Sequence, residues 1–180
     1  MKNILLTIAL ISIAFCFPFQ VNAKGKPVSV AQLKDAYGET VGRVIGMYHV
    51  SGPYVLTDQG YRTNIRAPVG WIGEYATQIY YDLEECEGNA YVSWIGHVGT
   101  VFRPDMPVDM AYETGMILYI PHDTQSVTVD VKSVLFWDSY NNQQICMPQL
   151  EMGEGYPVYS NDPTITGIKN TIYPAPMVIE

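Results

Sequence analysis

The sequence predicts an all-β protein, an antiparallel sandwich or partly open barrel closed by one disulfide. Three observations predict it. Short apolar runs alternate with polar residues at a period of two, the mark of half-buried strands. The 15 glycines and 12 prolines are scattered without period, which is too many breaks for a helix bundle and too irregular for collagen. No amphipathic helical pattern runs for three turns. Hydrophobic residues make up 48% of the 180, enough for a real core.

Residues 1–23 read as a secretory signal peptide. Lys2 supplies the positive charge, Ile4 to Phe17 is an apolar run broken only by Thr7 and Ser12, and Val21-Asn22-Ala23 offers small residues at a cleavage site. The run is shorter than the roughly 20 residues that span a bilayer. Cys16 follows Phe15 rather than a small residue, which disfavours a lipid-modified cysteine. Removing 23 residues from 180 leaves a single β-domain of 157, residues 24–180, with a net charge of −9 after the loss of Lys2 from −8. The expected destination is the periplasm, the cell surface or the medium.

Along the rest of the chain, Val28 to Ala36 alternates like a strand, although Ser29 could cap a short helix. Strands are expected at Val41 to Val50, Tyr54 to Thr57, Tyr61 to Arg66, Thr77 to Asp82, Ala90 to Ile95, Met116 to Ile120, Gln144 to Met147, Pro157 to Tyr159 and Thr164 to Ile168. Asp58-Gln59-Gly60 reads as a tight hairpin loop, and Glu87-Gly88-Asn89 and Asn141-Asn142 as further turns. Between Ser126 and Val131, Val127, Val129 and Val131 share one face. The phase slips after Lys132, which predicts a bulge or a strand buried on both faces. Arg103 to Thr114, with Pro104, Pro107 and three acids, reads as a long surface loop. The tail from Thr171 to Glu180 reads as extended.

Once Cys16 is removed, Cys86 and Cys146 form an even pair in an exported chain, so one disulfide between them is the simplest reading. Several chemistries are disfavoured. The net charge of −8 argues against nucleic acid and anionic membrane surfaces. There is no Gly-x-Ser-x-Gly, no Cys-x-x-Cys and no phosphate-binding glycine loop. His49, His97 and His122 are too far apart for a zinc signature. Asp82, Glu84, Glu85 and Glu87 crowd around Cys86 but lack the spacing of a calcium loop, and read as a solvated turn. No catalytic, cofactor-binding or metal-binding residue is therefore expected. The positive signal is aromatic. Trp71, Trp94 and Trp137, with Tyr75, Tyr80, Tyr81, Tyr91 and Tyr140, could offer flat faces to a sugar or a protein. Trp71, which Gly70-Trp71-Ile72-Gly73 places in a flexible, exposed turn, and Trp94 are the leading ligand-facing candidates.

The segment Asp35-Ala36-Tyr37-Gly38-Glu39-Thr40-Val41-Gly42, then Tyr80-Tyr81 and Cys86-Glu87-Gly88-Asn89-Ala90-Tyr91, then Cys146 and the Pro174-Ala175-Pro176 end, resembles a group of exported two-cysteine all-β bacterial proteins of unknown function. They share an Asp-Ala-x-Gly-x-x-Val-Gly hairpin and a Cys-x-Gly-x-x-Tyr element. The resemblance implies an all-β fold and one disulfide, and it brings no activity and no catalytic residues. Taken together, the expectation is a non-catalytic exported domain that binds a glycan or a protein. The alternatives are a glycan-acting hydrolase with carboxylates meeting in space, and a structural part of a surface appendage.

Overall fold

A computed structural model describes residues 29–48, 52–66, 69–72, 75–76, 78–93, 98–104, 106 and 108–180. In chain order the strands are β1 (Gln32–Lys34), β2 (Thr40–Tyr48), β3 (Gly52–Leu56), β4 (Arg62–Arg66), β5 (Trp71–Ile72), β6 (Tyr75–Ala76), β7 (Gln78–Tyr81), β8 (Ala90–Val92), β9 (Val101–Pro104), β10 (Leu118–Tyr119), β11 (Val127–Asp138), β12 (Gln143–Ser160) and β13 (Val178–Ile179). A 3₁₀ turn covers Glu84–Cys86, and two short helices, α1 (Val108–Glu113) and α2 (Pro163–Thr166), complete the elements. The chain is an all-β sandwich. One sheet has the order β13-β1-β2-β3-β4-β5, and the other β11-β7-β8-β12-β10-β9-β6. The pairings are antiparallel apart from β6 with β9 and one isolated bridge between Arg62 and Thr100.

Local chemistry sets the hairpins of the first sheet. Asp35 Oδ1 accepts from the amides of Tyr37 and Glu39, at 2.9 and 3.0 Å, and folds β1 back onto β2. At Asp58-Gln59-Gly60 the chain reverses as its residues predict. Gly60 takes φ +85°, its amide donates to the Thr57 carbonyl at 3.0 Å, and β3 runs into β4. The inward positions Leu33, Val55, Ile65 and Ile72 have no exposed surface, and form one core with Val101, Ile117 and Ile168.

A second core lies within the other sheet and gathers Ile79, Val92, Phe102, Leu118, Ile120 and Val158. Strands β9 and β10 serve both. Val101 and Tyr119 point into the first core, while Phe102 and Leu118, one residue along, point into the second. This is why β9 is buried at every position.

Four expectations need correction. Arg103 to Thr114 is not a surface loop. Arg103 and Pro104 end β9, and α1 follows. Arg103 is buried because its guanidinium donates to carbonyl oxygens, Nε to Ile72 at 2.9 Å and Nη1 to Met106 at 2.7 Å. Thr164 to Ile168 is not a strand but contains α2. Asp162 caps it by accepting from the Thr164 amide at 2.8 Å, Pro163 opens it, and Gly167 closes it in the left-handed region. Gln144 to Met147 and Pro157 to Tyr159 are not separate strands. They are the ends of the 18-residue β12, whose glycines and prolines are tolerated because β11 pairs along most of its length. Trp71 is not in a flexible turn but begins β5, half-buried, opposite Arg66. The expected slip in β11 is present as a register shift between Val131 and Ser133. The signal segment, His49, Trp94, His97 and residues 73–74 lie outside the described residues.

Candidate functional site

Strand register builds a row of phenol rings. Tyr80 stands opposite Tyr91, Tyr91 opposite Pro157, and Tyr159 opposite Tyr119. Cross-strand partners share a face, so these four tyrosines lie on one side of β7, β8, β12 and β10, away from the second core. The row continues by ring contact. Tyr119 and Tyr159 centroids are 5.9 Å apart, Tyr61 meets Tyr119 edge-on at 5.6 Å, and exposed His122 lies 4.3 Å from Tyr61. Burial raises the pKa of Tyr61, Tyr91 and Tyr119, and neighbouring Asp123, Asp82 and Asp162 add to it, so their hydroxyls stay protonated at neutral pH.

On the same face the strands close a ring. β11 pairs with β7, β7 with β8, β8 with the end of β12, and β12 returns along β11. Inside the ring is a cavity of about 200 Å³ lined by Tyr80, Tyr91, Ser93, Val129, Val131, Gln149, Glu151, Gly153, Glu154 and Gly155. The space exists because two successive inward positions of β12 lack side chains. A Cβ at Gly153 would meet nothing within 4 Å, and one at Gly155 would sit 3.0 Å from the Cβ of Tyr91. Glycine in a strand interior marks a place where another group approaches closely. A second space of about 540 Å³ is lined largely from the second-core face, by Ile79, Tyr81, Leu118 and Val158, with Asn89, Tyr91, Tyr159 and Ser160 also lining it.

The turn between β7 and β8 holds Tyr91 in place. Asp82 Oδ1 accepts from the Asn89 amide at 2.8 Å, Oδ2 from Asn89 Nδ2 at 2.7 Å, and the Tyr91 hydroxyl reaches Oδ2 at 3.5 Å. Gly88 takes φ +82°, and a Cβ there would lie 2.3 Å from Asp82 Oδ1, so the position admits only glycine without rearrangement. Cys86 and Cys146 form the expected disulfide, with their Cα atoms 5.9 Å apart, and tie this turn to β12. Ser133 locks the turn further by accepting from the Cys86 amide and donating to the Leu83 carbonyl, at 2.9 and 2.6 Å. Asp82 therefore spends its oxygens on the turn. Among the described residues no three His, Cys, Asp or Glu side chains are placed to hold a metal ion.

The Asn89 side-chain amide holds the Asp82 carboxyl below its ordinary value of 3.8, with the Asn89 backbone adding to the effect. A carboxylate whose folded pKa is depressed stabilises the fold above its unfolded pKa, and that contribution disappears as pH falls through the folded value. Asp82→Asn should therefore lower the urea midpoint at neutral pH, with the gap from wild type shrinking well below pH 3.8. A gap unchanged across that range would show that the charge of Asp82 does not hold the turn.

Of the aromatic candidates, Tyr80 and Tyr91 come together in the ring cavity and Tyr81 lines the second space. Tyr140 stands exposed at the β11–β12 turn, and Trp71 belongs to the other sheet, away from these two spaces. Tyr159 was not singled out by the sequence, nor were Gly153 and Gly155, although Gly-x-Gly-x-Pro-x-Tyr at alternate positions was a readable signal. No helix among the described residues is long and apolar enough to cross a membrane. Comparison with protein-family models, with curated proteins and with solved structures finds no match to this chain.

Proposed function

We propose that this is an exported, non-catalytic β-domain that binds a glycan through the ring cavity. Export is supported by the apolar leader ending in Val21-Asn22-Ala23 and by a disulfide, which persists in oxidising compartments. The observation that carries the glycan reading is the glycine floor of the ring, which leaves Tyr80 and Tyr91 beside Gln149, Glu151 and Ser93 around an open space. A sugar ring offers an apolar C–H face and a polar hydroxyl rim, and this lining matches both. A hydrolase is less well supported. Glu151 and Glu154 are three residues apart on one strand, so they point to opposite faces and do not flank a common bond.

The test is a glycan array with wild type, Gly153→Leu and Trp71→Ala. Leucine at 153 enters open space and should abolish the wild-type hits without unfolding the chain, while Trp71→Ala should keep them. An array without hits for wild type overturns the reading. One observation favours an assembly or protein-partner role instead. Residues 143–155 of β12 have a described strand partner on one edge only, and Leu150 and Met152 on that strand are 79% and 71% exposed. No array hits together with concentration-dependent sedimentation would favour that role.

A further inference from the structure

We infer that the ring cavity selects a ligand bearing an ammonium group, an amino sugar in preference to its neutral or N-acylated counterparts. The inference rests on the glycan reading of the same site. At about 200 Å³ the space is smaller than the roughly 300–1,000 Å³ of drug-sized sites, so it suits one small ring or the end of a chain. Two aromatic residues, Tyr80 and Tyr91, line it, and the π-system of a phenol ring attracts a cation. Its inward charged group is the Glu151 carboxylate, on the same face of β12 as Gly153 and Gly155, and among the described residues no Lys, Arg or His lines it. The nearest lysine in sequence, Lys132, is engaged with Asp130 at 2.7 Å. The chain as a whole carries −8, so its long-range field has the same sign as the cavity mouth. An ammonium therefore gains from the aromatic rings and from the Glu151 carboxylate. A neutral sugar gains from neither charge effect, and an acidic sugar is repelled.

The experiment is calorimetric titration of wild type with glucosamine, N-acetylglucosamine and glucose at a pH where the amine is protonated. Glucosamine should bind about tenfold more tightly than the other two, the sum expected of a cation–π contact and an exposed ion pair. Glu151→Gln, on a solvent-exposed side chain, should cut that preference at least ~3-fold, and added salt should do the same. Gly153→Leu should remove binding of all three. Equal affinities for the three sugars, a preference that survives Glu151→Gln, or binding that survives Gly153→Leu would overturn the inference. So would the absence of any binding. Array hits on neutral glycans would then show that the broader reading stands without it, and a blank array would sink both.

Discussion

Replacing Cys86 and Cys146 together by serine should lower stability by about 4 kcal/mol. The bond closes a loop of 60 residues, and the entropy that such a loop removes from the unfolded chain amounts to roughly 4 kcal/mol at 25 °C. Cys146 is exposed, so serine there opens no void, and the Ser133 hydrogen bonds that hold the turn remain. The folded state therefore loses little, and the effect comes from the unfolded ensemble. For a chain of this length each kcal/mol shifts the melting temperature by about 2–4 °C, so the variant should melt roughly 8–16 °C lower. Scanning calorimetry of the two proteins checks this. A fall of under about 1 kcal/mol would mean that the unfolded chain is already compact around these residues.

Phe102→Ala should cost about as much, roughly 3–5 kcal/mol, by a different route. The ring is fully buried among Ile79, Val92, Leu118, Ile120 and Val158, and these strands cannot close around the gap because β9 and β10 also carry the opposite core. Urea unfolding of the oxidised protein measures it. A loss below about 2 kcal/mol would show that the second core relaxes into the space.

The parts of the fold legible in the sequence were those written locally. Asp58-Gln59-Gly60 carries its own turn, the slip after Lys132 breaks a clean alternation, and two cysteines allow one pairing. Where the sequence misled, local and distant signals conflicted. Thr164, Ile165 and Thr166 are β-branched and look like strand, yet Asp162-Pro163 and Gly167 bracket them as a capped turn of helix. Arg103 looks solvent-seeking, and its burial rests on hydrogen bonds that the sequence does not announce, among them those to the carbonyls of Met106 nearby and of Ile72 on β5. The site was the least legible part. The Tyr80–Tyr91 pair and the glycines of β12 become neighbours through the register of four strands, which period-two patterns do not specify. The Cys86-x-Gly88-x-x-Tyr91 element was visible as a motif, and its physical sense is that it builds the turn that positions a cavity wall.

Strands β9 and β10 lend alternate side chains to the hydrophobic interior on either side of them. They act as a party wall between two rooms. Neither room can be opened by heat without stripping one surface of the wall that the other leans on, so the chain should melt in a single step. A small molecule lodged among the tyrosines would then tighten the distant six-stranded half as well.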